Sequence, residues 1–219
     1  MRVRVAVLVV LTIALATVVR TPHRSTPRLG PVAHIVVLGD SVAHGAGDEA
    51  GGGISASLQA TNLAVNGSRT WDVARVLRLH NAKSAVRSAD AVVISIGGND
   101  LFGDQFAKLE SLVWPSMMMS RTIARVDRLV REIHHLNPAA RVYLLGLYNP
   151  YRDSSLARFL DRQVALWDAR LIAHFADQPN VDVIRIADLL FASRLSAIDH
   201  FHPGHEAYRL IAQRIATTW

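Results

Sequence analysis

Five short apolar runs, separated by helix-length segments, constrain the fold of this 219-residue chain more than any other feature. Most of the runs do not alternate between apolar and polar residues, as in VVISI at 92–96 and VYLLGL at 142–147. Strands of this kind are buried on both faces, which is typical of a parallel sheet covered by helices. We predict strands at 34–38, 61–65, 91–96, 141–147 and 181–185.

The segments between these runs have helical periodicity. Apolar residues recur at spacings of three and four in 120–136 and in 154–175. Asp153 or Ser154 is the expected N-cap of the second of these helices, and the last helix is expected to open at Pro203. Three residues of the last helix are expected to be buried: Tyr208, Ile211 and Ile215. Because strands and helices alternate, we predict an α/β fold, a three-layer α/β/α sandwich with a five-stranded parallel sheet.

The first 33 residues differ from the rest of the chain. Residues 3–19 are almost entirely apolar and follow a basic start, which is typical of an export signal. Ala14-Leu15-Ala16 fits a cleavage site, whereas Arg20 adds the second basic flank of an uncleaved anchor. A buried first strand or helix of the domain is the remaining alternative. We therefore predict a signal peptide or N-terminal membrane anchor at 1–19, a proline-containing linker at 20–33 and one domain at 34–219.

The location and charge of the protein follow from the same N-terminal segment. We expect export across the cytoplasmic membrane, to a secreted, periplasmic or membrane-anchored form whose membrane association depends on residues 3–19. The formal net charge is +6, but residues 1–28 hold five arginines and no acid, which leaves 19 basic and 18 acidic residues elsewhere. A nucleic-acid-binding surface is therefore not predicted. The chain has no cysteine, which excludes disulfides, thiolate metal ligands and a thiol nucleophile.

Polar residues and glycine follow four of the predicted strands. They are Ser41 after the first strand, Gly67 after the second, Asn99 after the third, and Asp199 with His202 after the fifth. In an open parallel α/β sheet, ligands bind beyond the carboxyl ends of the strands. We therefore expect these residues to converge on one site.

These residues are of the types that acyl transfer needs. A serine hydroxyl becomes a nucleophile when a base takes its proton, and His202 can be that base for Ser41. Asp199, three residues before His202, can hold the imidazole in the required tautomer. The backbone N–H groups of Ser41 and Gly67, together with the Asn99 amide, can donate to the oxyanion of a tetrahedral intermediate.

The chain resembles the SGNH (GDSL-type) hydrolases in four blocks, which occur in the order and at the spacing usual for that family. The blocks are Gly39-Asp40-Ser41, Gly67, Gly97-x-Asn99-Asp100 and Asp199-x-x-His202. The resemblance implies a flavodoxin-like fold and a serine esterase or lipase that needs no cofactor and no metal. It assigns Ser41, Asp199 and His202 as the catalytic triad, and it assigns Ser41, Gly67 and Asn99 as the oxyanion hole.

The resemblance also limits the substrate classes, and the chain departs from the family pattern at two positions. It implies a small-molecule or lipid ester, such as a lysophospholipid, a short acyl ester, an acyl thioester or an O-acetylated carbohydrate, and we expect a monomer. Val42 stands where the family name has leucine, which changes the packing behind Ser41. Residues 66–70 match the second block mainly through Gly67, so the assignment of Gly67 has the least support among the three oxyanion donors.

Three alternatives remain beside this interpretation. The segment GDSVA at 39–43 is close to the nucleophile elbow of α/β-hydrolases, but here the serine follows the first strand and the acid lies beside the histidine. A metal-dependent hydrolase is a second alternative, because Asp199, His200, His202 and His205 are of metal-ligand type. A non-catalytic binding module on the same fold is the third, and such a protein would be free to lose the triad.

Four further residues have predicted roles near the site. Asp40 is expected to fix the loop that carries Ser41 by accepting backbone N–H bonds, and Asp100 is expected to anchor the loop that presents Asn99. Met118 and Tyr148 are candidate substrate-binding residues, because each follows a segment that ends near the site.

Overall fold

Five parallel strands form one sheet in the computed structural model, which describes residues 33–102 and 116–219. The strands are β1 (Ile35–Gly39), β2 (Thr61–Asn62), β3 (Ala91–Ser95), β4 (Arg141–Leu145) and β5 (Val181–Ile184). Their spatial order is β2-β1-β3-β4-β5. The chain therefore moves outward from β1 in one direction and then in the other, and this reversal opens a crevice at the carboxyl ends of β1 and β3.

Eight helices lie around the sheet in the part of the chain that the structure describes. They are α1 (Ser41–His44), α2 (Gly53–Leu58), α3 (Thr70–Val76), α4 (His80–Arg87), α5 (Gly98–Phe102), α6 (Ser116–Leu136), α7 (Ala157–Phe175) and α8 (His205–Thr218). Within those same residues, none is both long enough and apolar enough to cross a bilayer.

The sheet separates two apolar cores, because successive residues of a strand point to opposite faces. Val92 and Ile94 of β3 pack among residues of α3, α4, α6 and α7, whereas Val93 packs among residues of α1, α2 and α8. The predicted α/β/α sandwich with a five-stranded parallel sheet is confirmed. Tyr208, Ile211 and Ile215 of α8 are fully buried, also as predicted.

The ends of several elements differ from the sequence-based predictions. The edge strand β2 has two residues instead of five, and β4 ends at Leu145, before Gly146. Helix α7 begins at Ala157 and has no side-chain cap, so the cap predicted at Asp153 or Ser154 is wrong. Ser154 instead donates its hydroxyl to the Tyr151 carbonyl, in a turn that precedes the helix.

Helix α8 also begins later than predicted. Its first residue is His205 and its N-cap is Gly204. Pro203 lies before the helix and pairs with Leu195 in an isolated antiparallel bridge. The prediction that Pro203 opens the helix is therefore wrong. The segment predicted at 1–19 and residues 20–32 of the linker predicted at 20–33 lie outside the described residues.

Candidate active site

The turn that carries Ser41 is fixed to the neighbouring strand β3. Gly39 has a φ of 133°, and a Cβ placed on it would lie 1.9 Å from the Ser95 carbonyl oxygen, so only glycine fits there. The backbone N–H of Asp40 donates to that carbonyl at 2.9 Å. The turn is therefore held against β3. Ser41 follows it as the first residue of α1, at the point where β1 reaches the crevice.

Asp40 is the buried carboxylate that organises this turn. Its Oδ1 atom accepts the backbone N–H of Val42 at 3.1 Å and the hydroxyl of Ser95 at 3.0 Å, in line with its predicted role. Burial raises the pKa of Asp40 to about 6, although the Ser95 hydroxyl and the Val42 N–H both act to lower it. Ser95 was missed by the sequence reasoning. Its signal was a polar residue within an otherwise apolar strand.

Asp199 and His202 form a short hydrogen bond. The Nδ1 atom of His202 lies 2.6 Å from Oδ2 of Asp199. The other carboxylate oxygen of Asp199 accepts the backbone N–H groups of Phe201 and His202, both at 2.9 Å. When Nδ1 donates to the carboxylate, Nε2 carries the free lone pair and is the atom that can act as a base.

The hydrogen bonds to Asp199 keep it ionised. Its partial burial acts to raise the pKa, but the bond from the His202 ring and the two backbone N–H bonds outweigh burial, so the pKa of Asp199 lies below its usual value. A negatively charged Asp199 stabilises the imidazolium that forms when His202 takes up a proton.

A closed loop presents this pair. The N–H of Ser196 donates to the carbonyl of His202 at 2.8 Å, and Leu195 pairs with Pro203 at the base of the loop. His200 has a φ of 53°, a left-handed conformation that helps the chain turn within so few residues. The loop is therefore held at its base by backbone bonds.

The amide of Asn99 is oriented by the loop that follows β2. Its Nδ2 atom donates to the carbonyl of Ser68 at 2.9 Å. Because an amide group has two N–H donors, this bond holds the side chain and leaves a second donor for an oxyanion. Gly67, next to Ser68, has a φ of 74° and an open surface where a Cβ would point.

Asp100 ties the segment of Asn99 to the segment that follows Gly67. Its Oδ2 atom accepts the backbone N–H of Thr70 at 2.9 Å, and its Oδ1 atom accepts the Thr70 hydroxyl at 2.6 Å. Arg125 of α6 lies 3.4 Å from the same carboxylate. Asn99 and Asp100 lie in α5 instead of the predicted loop, and Asp100 anchors that segment as expected from the sequence.

One cavity of about 60 Å³ brings Ser41 and Asn99 together. Ser41 and Asn99 line it, with walls from Asp40, Val42, Ser95, Gly98, Gly146, Leu147, Tyr148, Pro150, Ile186 and Phe201. Tyr148 is buried and donates its hydroxyl to the Phe201 carbonyl at 2.9 Å, directly before His202. Neither Gly67 nor Met118 is among the lining residues that the structure describes, and Met118 lies on an exposed part of α6.

The arrangement of strand-end residues agrees with comparisons to known proteins. The sequence profile of the GDSL-like lipase/acylhydrolase family matches residues 37–210. The chain belongs to this family. Its members are hydrolases that cleave ester bonds, and the five-stranded parallel sheet is the fold of the SGNH hydrolases.

Three known proteins are similar to this family member. The uncharacterized protein YpmR of Bacillus subtilis is 29% identical over 206 residues, which cover 83% of this chain and 80% of YpmR. The lipase Lip_vut3 from a goat rumen metagenome has a TM-score of 0.71 at 20% identity, over 85% of this chain and 97% of the lipase. The extracellular lipase of Streptomyces rimosus has a TM-score of 0.63 at 20% identity, over 83% and 99%.

Two of the three histidines of the alternative metal site each pair with a different carboxylate in this GDSL-family chain. His202 bonds Asp199, and the Nδ1 atom of His205 lies 2.9 Å from Oδ1 of Asp48. Within residues 33–102 and 116–219, no three histidine or acidic side chains are arranged to hold a metal ion. His202 and His205 thus belong to two separate carboxylate–imidazole pairs.

Proposed function

We propose that this protein is a serine hydrolase that cleaves carboxylic esters through an acyl-enzyme intermediate. The observation that carries the proposal is the 2.6 Å bond between Nδ1 of His202 and Asp199, because it leaves Nε2 as the base. Ser41 and Asn99 share one cavity, and Phe201, next to His202, lines the same cavity. A nucleophile, an oriented base and an amide donor are the parts that acyl transfer requires.

In the first half of the reaction, Nε2 of His202 takes the Ser41 proton while Oγ bonds to the ester carbonyl carbon. The carbonyl oxygen becomes an oxyanion that accepts hydrogen bonds from Asn99 and from the backbone N–H groups of Ser41 and Gly67. When the intermediate collapses, the bond to the leaving oxygen breaks and His202 protonates the departing alcohol. The acyl group then remains on Ser41.

In the second half, water replaces the alcohol. His202 takes a proton from water as the water oxygen bonds to the acyl carbon, and a second oxyanion forms among the same donors. Collapse of that intermediate breaks the bond to Oγ of Ser41, which recovers its proton from His202. The carboxylic acid leaves, and the enzyme returns to its starting state.

The cavity favours a short acyl group. Its volume is about 60 Å³, well below the roughly 300–1,000 Å³ of pockets that hold drug-sized ligands. Leu147, Tyr148 and Ile186 give it apolar walls. Among lysophospholipids, short acyl esters, thioesters and acetylated sugars, we propose short acyl esters. Carbohydrate O-acetyl esters are the second candidate, because acetyl is the smallest of these acyl groups.

A series of p-nitrophenyl esters from acetate to dodecanoate tests both proposals. We expect kcat/KM to be highest for acetate to butyrate, and we expect Ser41→Ala to abolish turnover and labelling by a fluorophosphonate. The matched control is Ser154→Ala, which removes an exposed serine hydroxyl from a turn. Turnover by folded Ser41→Ala would refute the serine mechanism, and a preference for long chains would refute the proposed acyl size.

We also propose that residues 1–19 direct the protein out of the cytoplasm. The basic start and short apolar segment at 3–19 support this proposal. Fractionation of cells that express the full chain should place it outside the cytoplasm or on the membrane, and removal of residues 2–19 should retain it inside. A cytoplasmic full-length chain would contradict the proposal.

A further inference from the structure

The loop that follows the nucleophile helix holds the acid–base segment on both sides. One carboxylate oxygen of Glu49 accepts the backbone N–H of Ala197 at 2.8 Å, and the other accepts that of His205 at 2.8 Å. Ala197 precedes Asp199 and His205 follows His202. A single side chain therefore bridges the two flanks of the segment that carries both groups.

Two other residues of this loop, Asp48 and Gly47, also contact the acid–base segment. Asp48 has an almost fully buried side chain, which accepts the N–H of Gly53 at 2.8 Å and bonds Nδ1 of His205 at 2.9 Å. A Cβ placed on Gly47, whose φ is 83°, would lie 2.6 Å from Cβ of His202. The backbone of this loop thus packs directly against the catalytic histidine.

The charge of Glu49 fits a bond to two backbone donors. The N–H groups of His205 and Ala197 lower the pKa of Glu49 to about 2, so the carboxylate is ionised at neutral pH. Hydrogen bonds to an ionised acceptor are roughly twice as strong as neutral ones. A glutamine cannot replace both, because its amide nitrogen would meet an N–H donor with another donor.

We propose that Glu49 is a positioning residue that sets the distance between the imidazole of His202 and the hydroxyl of Ser41. Ser41 begins α1, and Glu49 lies in the loop directly after that helix. The Glu49 carboxylate therefore transmits the position of the nucleophile turn to the acid–base loop. The inference rests on the proposed esterase function and deepens it, because it adds a residue outside the four motif blocks.

Steady-state kinetics of Glu49→Gln with p-nitrophenyl acetate test the proposal. We expect kcat to fall by about tenfold to a hundredfold with KM nearly unchanged, because misplacement of about 1 Å costs on the order of a hundredfold in rate. The matched control is Glu206→Gln. It removes an exposed carboxylate next to His205 that pairs with Arg209, and its kcat should remain at the wild-type level.

A second measurement does not depend on turnover. The Nδ1 proton shared by His202 and Asp199 should give a low-field proton resonance that shifts or broadens in Glu49→Gln and is unchanged in Glu206→Gln. Absence of ester hydrolysis by the wild type would refute the proposed function, but the proton resonance would still test the positioning role. A wild-type resonance together with a wild-type kcat in folded Glu49→Gln would overturn the positioning role, as would an equal fall in kcat in Glu206→Gln.

Discussion

At the scale of single residues, a buried carboxylate lies directly beside Ser41, the proposed nucleophile. Asp40 is only 5% exposed and its pKa is raised to about 6, which means that burial of its charge costs stability. Its geometry nevertheless suits the ionised form, since Oδ1 accepts from both Val42 and Ser95. The turn that presents Ser41 is thus held by a group that changes charge within a few pH units of neutrality.

The pH dependence of stability follows from this shift. Because the pKa of Asp40 is higher in the folded state than its ordinary 3.8, the folded state binds the extra proton between these values. Folding stability from this group is therefore full below about pH 4 and is lost as the pH rises through about 6. Relative to Asp40→Asn, the wild type should lose on the order of 2–3 kcal/mol between those limits.

Urea unfolding of both proteins at several pH values checks this expectation. Asp188→Asn is the control, because the Arg214 bond lowers the pKa of Asp188 and its contribution should be constant above about pH 5. A difference between wild type and Asp40→Asn that does not change with pH would refute the raised pKa of Asp40.

The amide of Asn99 gives a second prediction at this scale. Asn99→Ala removes the side-chain donor to the oxyanion and should lower kcat by about 10²–10³-fold with a small change in KM. Asn62→Ala is the control, because Asn62 also donates its amide to a backbone carbonyl but lies outside the described cavity lining. Equal kcat values for Asn99→Ala and the wild type would remove Asn99 from the oxyanion hole.

At the scale of elements, the strands and helices were predictable but several of their ends were not. Burial on both faces identified β1, β3 and β4 from their apolar runs, because that pattern depends only on the sheet. The start of α8 depends instead on the bridge between Pro203 and Leu195, a tertiary contact that no local pattern contains. Sequence propensity similarly suggested a cap for α7 that the preceding turn uses for its own hydrogen bond.

The contact between Thr70 of α3 and Asp100 of α5 is the contact between elements that supports the candidate site most directly. Asp100→Ala removes two hydrogen bonds to Thr70. The backbone N–H of Thr70 then lacks the carboxylate that accepts it. We expect a loss of about 1–3 kcal/mol in unfolding free energy and a lower kcat, since Asn99 is the adjacent residue. Chemical unfolding and steady-state kinetics measure the two effects.

Thr70→Val separates the two bonds of this join. The variant keeps the backbone bond to Asp100 and loses only the hydroxyl bond at 2.6 Å, so its effects should be smaller than those of Asp100→Ala. If Asp100→Ala lowers stability and leaves kcat unchanged, Asp100 supports the fold without orienting Asn99.

At the scale of the whole molecule, the site combines parts that sequence reasoning could and could not locate. The strand-end positions of Ser41 and Asn99 follow from the topology, since parallel strands present their carboxyl ends at one edge. The walls of the cavity come from residues such as Leu147, Pro150 and Ile186, whose positions depend on loop paths. The Glu49 bridge is a contact between distant segments, so its role was not visible in the sequence.

Tyr148 is a loop residue that both lines the cavity and bonds the segment before His202. It lines the cavity beside Ser41, and its hydroxyl holds the carbonyl of Phe201 at 2.9 Å. Tyr148→Ala should enlarge the cavity and raise kcat/KM for hexanoate relative to acetate by about tenfold, because one methylene in an apolar pocket is worth about 10–200-fold. Chain-length profiles with p-nitrophenyl esters measure this ratio.

Two further variants separate cavity volume from other effects. Tyr148→Phe keeps the ring and loses the bond to Phe201, so it should retain the wild-type chain-length profile. Met118→Ala alters an exposed residue outside the described cavity lining. A shift in its chain-length profile would mean that Met118 affects substrate choice, as the sequence predicts, although it does not line this cavity. An unchanged ratio in Tyr148→Ala would show that this wall does not limit the acyl chain, and the short-acyl proposal would then lose its physical basis.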